Sequence, residues 1–467
     1  MALSQDIHPR KKVLSLFTLI MINVIAVDSL RNLAIGAEYG FSLVFFYAVA
    51  CVSFFIPIVL VAAELATGWP KIGGVYVWVK EAFGERWGLV VIWLQWIYNV
   101  VWFPTILAFI AASLSFLIDP ALATHKAYML SIMLAIFWAA TLGNCFGMKI
   151  SALISTFGAI IGTLLPMLVI ICLGIGWLLT GQKSVISFTW HDLLPHINDI
   201  HDLAFFVAIL FGLLGMEMSA VHAEDVSNPQ KNYPRALLIS SILIFVSLVG
   251  ASLAITMVIP HQKLSLVTGL GDAFHVFFTQ FNLEWMEPII IIAIIIGAIC
   301  SVSAWIIGPT KGLLAAAEDG CLPHIFRYTT SNGAPISLLI LQGIIFTVLC
   351  SIILFMPSID SSYWILSALT AQLAMFVYIF MFAAAIKLRY RQPNVKRTYS
   401  VPGGRLGIWM VSLLGTLTCA FAIVIGFFPP HDMIIDSMVG YDMILGGGMF
   451  IFCGLPLILY RRQEHHT

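Results

Sequence analysis

Along this chain, runs of about 20 apolar residues alternate with short polar stretches from one end to the other, the length a helix needs to cross a bilayer. Twelve such runs can be bounded: 13–36, 41–66, 86–117, 127–147, 150–180, 202–224, 234–259, 285–316, 335–356, 362–389, 405–428 and 438–460. They predict an all-α polytopic membrane protein with twelve transmembrane helices and no soluble domain. Two runs are interrupted. The first holds Ala26-Val27-Asp28-Ser29-Leu30-Arg31-Asn32, and the sixth holds Phe211-Gly212-Leu213-Leu214-Gly215-Met216-Glu217. Charge and glycine are costly where lipid surrounds the backbone. An unwound stretch at membrane depth survives only where it lines an enclosed or watery cavity. Paired interruptions in the two halves of a polytopic chain mark a substrate site.

The 467 residues are 60% hydrophobic and 10% charged, against about 25% charged in soluble proteins. Net charge is zero, so no basic field attracts nucleic acid. Lysine and arginine set the orientation. With the N-terminus inside, all 23 fall on the inner side except Lys126, Lys183 and Lys263 outside and Arg31 within the membrane. Both termini are therefore predicted to be cytoplasmic. The polar start, residues 1–12, lacks a short apolar core with a small-residue cleavage site, so the first helix is expected to direct membrane insertion.

Between helices two and three, residues 73–84 are too short to span, and their aromatic and charged mix predicts an interfacial helix on the inner face. Residues 311–320, after helix eight, read as a second inner-surface element. The outer loops 181–201 and 260–284 have room for short helices. The eight cysteines form no CxxC or Cys/His metal spacing and read as small core hydrophobes. No metal or cofactor is implied, and no HExxH, GxSxG or paired-carboxylate motif supports an enzyme.

Several strings are similar to the amino acid–polyamine–organocation superfamily. Phe211-Gly212-Leu213-Leu214-Gly215-Met216-Glu217 is followed by Ser227-Asn228-Pro229 and Tyr233-Pro234-Arg235-Ala236. Trp305-Ile306-Ile307-Gly308-Pro309-Thr310-Lys311-Gly312 is followed by Glu318-Asp319-Gly320-Cys321-Leu322-Pro323. Helix two opens Gly40-Phe41-Ser42-Leu43-Val44-Phe45-Phe46, and residues 393–404 precede helix eleven. Together these most resemble the bacterial glutamate/γ-aminobutyrate antiporter branch. The resemblance implies a LeuT-type fold: helices one to five (13–180) and six to ten (202–389) as inverted repeats, helices one and six broken midway, and two further helices within 405–460. It also implies alternating access and an inner-membrane location. A broken helix offers bare N–H groups to a carboxylate and bare carbonyls to an ammonium, so two adjacent breaks suit an α-amino acid.

The candidate substrate-binding residues are Ile25, Ala26, Val27, Asp28, Ser29, Arg31, Phe211, Gly212, Leu213, Leu214, Gly215 and Trp305. Glu217 and Phe211 are candidates for coupling and gating. Related exchangers carry an acid where Glu217 stands, a gating aromatic at Phe211 and a substrate-packing tryptophan at Trp305. Each also has a plain reading, as a hydrogen-bonded acid or a packing ring. Asp28 and Arg31 are three apart. They either pair on a helical turn or leave one charge to read a substrate side chain or a proton. Gln95 and Asn99 on helix three share a face and are expected to hydrogen-bond between helices. Helix five has Gly162 where some proton-coupled members carry a lysine, which favours exchange. Ser301 and Ser303 keep a sodium site open.

Seven histidines, His125, His191, His196, His201, His261, His275 and His431, map to the outer side, where an acid-activated exchanger could use them. Only residues 461–467 follow the last helix, so a long tail that blocks the inner mouth, as in the antiporter branch, is not expected. The expected function is amino acid antiport of glutamate/γ-aminobutyrate type. Proton- or sodium-coupled symport is the alternative, and a non-transporting amino acid sensor is the rival from another class. The implied partners are small-molecule amino acids and the lipid bilayer, and the sequence leaves oligomeric state open.

Overall fold

The computed structural model describes residues 15–71, 73–145, 156–218, 226, 228–330, 333–356, 358–431, 433 and 437–460. Residues 1–14 and 461–467, and the part of segment six beyond Met218 up to residue 225, lie outside them. Among the described residues, twelve helices are long and apolar enough to cross a membrane. They are Leu16–Ala37, Gly40–Gly68, Glu85–Ser115, Lys126–Cys145, Gly158–Leu179, Ile200–Met218, Lys231–Val258, Glu284–Glu318, Ile336–Phe355, Ile359–Arg391, Gly404–Ile425 and Met438–Leu459, here helices one to twelve. This is the all-α polytopic, LeuT-type fold that the hydrophobic pattern and the resemblance imply.

Helix three is the post of the bundle: 94% of its most apolar window is buried, against 11% for helix twelve. A helix apolar all round must be covered on every side, and helices ten and eight pack along it. The peripheral helices instead turn bulky apolar residues outward. Leu168, Leu238, Ile242, Ile292, Ile344, Leu413 and Phe450 are all exposed. So large an uncovered apolar surface requires lipid.

Helix one is not continuous. Helical backbone runs through Leu16–Val27, Asp28 and Ser29 are extended, and a tight turn at Leu30–Asn32 leads into Leu33–Ala37. In segment six, α-helix runs through Ala204–Gly212, Gly215 takes φ +111°, and residues 216–218 form a tight turn. Helices two and five carry wide π-helical turns at Cys51–Phe55 and Gly158–Leu164. Each lies just before a proline, Pro57 and Pro166, which lacks the N–H that would close the preceding turn.

Two expectations need correction. The helix Val75–Phe83 does form between helices two and three, but it is not a surface element. Val75, Tyr76, Val77, Trp78, Val79 and Ala82 are buried, packed against helices three and ten. Residues 311–318 form no separate element, because helix eight continues through Glu318 despite Pro309. Packed neighbours let a membrane helix tolerate an internal proline. The loop helices expected beyond helices five and seven are present at Trp190–Leu193, His261–Lys263 and Gly269–Phe281.

At the lysine- and arginine-rich end, Glu64 of helix two is buried and accepts hydrogen bonds from both Arg389 and the Val401 N–H, the latter at 2.8 Å. Arg397 lies 3.6 Å from the same carboxylate and over the Trp69 ring. This cluster straps the segment before helix eleven under helix two.

Candidate substrate site

The interruptions of helices one and six lie side by side at the centre of the bundle. The carbonyls freed where helix one stops are taken up by helix eight. Ser301 Oγ donates to the Ile25 carbonyl at 3.1 Å, and Trp305 Nε1 to the Ala26 carbonyl at 3.2 Å. Gly215 explains its own identity. Its backbone is left-handed, and a Cβ there would sit 3.1 Å from Trp305 and 3.3 Å from the Ala26 carbonyl. Its N–H donates to Tyr378 Oη at 2.9 Å, and Tyr378 donates onward to Glu217 Oε2 at 2.6 Å. Gln95 Nε2 reaches the other Glu217 oxygen at 3.3 Å. Glu217 is therefore wired to helices three and ten and to the backbone of the break.

Asp28 and Arg31 do not pair. Three-residue spacing brings side chains together only on a continuous helix, and here two extended residues lie at that point. Arg31 is 1% exposed. Its Nη1 donates to Thr105 Oγ1 at 3.1 Å, Tyr363 Oη at 3.0 Å and Ser367 Oγ at 3.2 Å, from helices three and ten. Its Nε and Nη2 have no hydrogen-bond partner. The guanidinium stands 5.0 Å from the Phe211 ring centre and 5.3 Å from that of Tyr363, within cation–π range. Asp28 turns the other way, to Ser247 on helix seven.

A cavity of about 30 Å³ occupies the space between the breaks. Helix one contributes Ala26, Val27, Ser29, Arg31 and Asn32, and segment six contributes Phe211 and Leu214. Helix three adds Tyr98, Asn99 and Trp102, and helix eight adds Trp305. Of the other candidates, Ile25 lies behind the wall, Gly212 packs on Asn32, Gly215 on Trp305, and Leu213 is buried. Asp28 borders a second cavity of about 10 Å³ instead. The larger cavity holds about two water molecules. An amino acid is larger than this space and would fit only if the Trp102, Phe211 and Trp305 rings moved.

Sequence reasoning missed Tyr363, Ser367 and Tyr378 on helix ten and Ser247 on helix seven. Tyr363 and Ser367, four apart on an apolar helix, carried the same shared-face signal as Gln95 and Asn99. Of that pair, Gln95 bonds across helices, whereas Asn99 donates back to the Gln95 carbonyl at 3.2 Å. Ser301 and Ser303 do not build one site, because Ser303 donates to Asn144 on helix four. At Gly162 an added Cβ would lie 2.1 Å from Gly297 Cα, so the helix five–helix eight contact leaves no space for a side chain.

Four histidines gather at the opposite end from the basic cluster. His196, His201, His261 and His431 line a cavity of about 680 Å³ there. His431 Nε2 lies 2.7 Å from Asp199. Burial raises the Asp199 carboxyl, but His431 and the His201 N–H outweigh it and hold the group below its ordinary value. Asp199, Asp202 and His431 bring ligand atoms within 4.8 Å of one another, with the Asp199 carboxylate already accepting the His201 N–H and that of Asp202 the Asn198 and Asp199 N–H groups.

An interrupted first helix and the turn that ends α-helix in segment six meet at a central cavity in a twelve-helix bundle, the architecture of a multi-pass membrane transporter. The amino acid permease family matches residues 13–450, and the chain belongs to it. An uncharacterized transporter of Legionella pneumophila is 52% identical over 97% of this chain and 98% of its own. A glutamate/gamma-aminobutyrate antiporter of Lactococcus lactis is 32% identical over 97% and 91%. A probable agmatine/putrescine antiporter of the same species is 30% identical over 86% and 85%. The protein is an amino acid transporter.

Proposed function

We propose that this transporter is an exchanger, and that its substrates are amino acids with a second carboxylate or a carboxylate-bearing decarboxylation product, of the glutamate/γ-aminobutyrate kind. The observation that carries this is the free edge of Arg31. A buried guanidinium with two unpartnered nitrogens on the wall of the central cavity offers the paired donors that bind a carboxylate in bidentate fashion. It also repels a cationic tail, which sets this site against an agmatine-like substrate. The 32% identity to a glutamate/gamma-aminobutyrate antiporter supports the same reading.

In this scheme the two five-helix units, 13–180 and 202–389, are inverted repeats that rock around the breaks. The backbone ends of helices one and six hold the α-amino and α-carboxyl groups. Trp305, Trp102 and Phe211 swing off the cavity to admit the substrate. The Glu217–Tyr378–Gly215 chain reports occupancy to helices three and ten. The cation-rich end faces the cytoplasm of a bacterial cell, with both termini there.

Labelled glutamate uptake into proteoliposomes tests the scheme. Uptake is expected only when glutamate or γ-aminobutyrate is loaded inside. Uptake into empty vesicles driven by an ion gradient would replace exchange with symport.

A further inference from the structure

The break in helix one faces two cavities, and the substrate reading uses only the larger. The smaller, about 10 Å³, lies across Ser29, which borders both. Asp28 opens into it and is 2% exposed. Its Oδ2 accepts from Ser247 Oγ at 2.7 Å, while Oδ1 has no hydrogen-bond partner.

Among the described residues, the surroundings of this carboxylate hold no counter-charge. Helix five presents Gly162 and Thr163, helix eight Ala298 and Ser301, and helix three Ile106 and Phe109. Helix seven brings Ser247, and helix two brings the Tyr47 phenol. Arg31, on the same helix, is committed to helices three and ten. Among the described residues no ion pair reaches Asp28. A bare carboxylate at membrane depth is retained for a function that supplies the missing positive charge. The space of about 10 Å³ is at the lower limit for one water, and a proton balances the carboxylate without occupying any of it.

We propose that Asp28 is a proton-binding site, separate from the substrate site and coupled to it through Ser29. A proton from the side to which the break is open adds to Oδ1, turning carboxylate into carboxylic acid. It leaves from the same oxygen when the break opens to the other side, and no other bond is made or broken. A substrate that moves the Ser29 backbone moves Asp28 with it, so loading of the two sites is linked. This rests on the transporter reading, but its test needs no flux.

Infrared difference spectra of the purified protein in lipid, recorded across a pH titration, read the protonated carboxyl directly. The wild type is expected to gain a buried carboxylic-acid carbonyl band as pH falls. The band should be absent in Asp28→Asn, shifted in Ser247→Ala and altered by added glutamate. If Asp28→Asn does not fold, the shift in Ser247→Ala decides alone. Identical titrating bands in wild type and both variants would overturn the proposal. So would a band that sodium chloride, but not choline chloride, abolishes at fixed pH, since the site would then hold sodium. Failure of exchange in vesicles counts against the exchange reading only.

Discussion

Arg31 and Gly215 show how single residues make this site. Three hydroxyls hold Arg31 Nη1 in place, while Nε and Nη2 of the same buried guanidinium have no hydrogen-bond partner. Gly215 is fixed by geometry alone. Gly215→Ala forces a side chain into a left-handed backbone already touching Trp305 and the Ala26 carbonyl. A loss of about 1–3 kcal/mol of stability is expected, read as a lower melting temperature, with exchange abolished because the two breaks are pushed apart. Normal exchange by this variant would mean the breaks need not touch. The pairing of Asp28 with Arg31 was the natural reading of their spacing and is absent. The sequence shows spacing, but the extended Asp28–Ser29 backbone, which sends the two side chains to opposite faces, becomes visible only once the chain is folded.

At the scale of elements, the strap over helix two is the clearest energetic device. Glu64 is buried between two arginines, and Glu64→Ala leaves both without their carboxylate. Removing one partner of a buried pair costs about 3–5 kcal/mol, so the variant should unfold well below the wild type in a detergent melt. A drop no larger than that of a surface glutamate substitution would show the strap to be loose. Apart from the start of segment five and the end of segment six, which lie outside the described residues, helix limits were legible from apolar run length to within a few residues, because lipid demands about 20 apolar residues and little else imitates that. The misreadings, at residues 73–84 and 311–320, came where length does not discriminate. A short amphipathic helix looks the same whether lipid or protein covers its apolar face, and proline ends a soluble helix more often than a packed membrane one.

For the whole molecule, a latch couples the helix Val75–Phe83 to the end of helix eight. Lys80 Nζ donates to Asp319 Oδ2 at 2.6 Å, and the Tyr76 hydroxyl donates to the same oxygen. Burial raises Asp319, but its bonds to Lys80 and Tyr76 outweigh that and hold the carboxyl below its ordinary range. Burial lowers Lys80, and Asp319 more than reverses it. Asp319 therefore adds stability above its unfolded value of about 3.9, lost as pH falls through the lower folded value. Lys80 adds stability below about 10.4, lost as pH rises through its raised value. Asp319→Asn should lower the melting temperature at neutral pH, with the difference from wild type closing in strong acid. A gap that persists there would show the contact is not ionic. What the sequence withheld at this scale is the partnership of distant helices. Tyr363 and Ser367 meet Arg31 across more than 300 residues of chain, and no local pattern encodes that meeting.

The central claim is that the free edge of Arg31 reads a substrate carboxylate between the two breaks. Equilibrium binding of glutamate, γ-aminobutyrate and agmatine to wild type and Arg31→Gln in lipid nanodiscs tests it most directly. The account predicts that the wild type binds glutamate and γ-aminobutyrate but not agmatine. Arg31→Gln should lose at least about tenfold in affinity for both acids, the worth of one charge-assisted hydrogen bond. Unchanged acid binding by Arg31→Gln, or wild-type preference for agmatine, would contradict it.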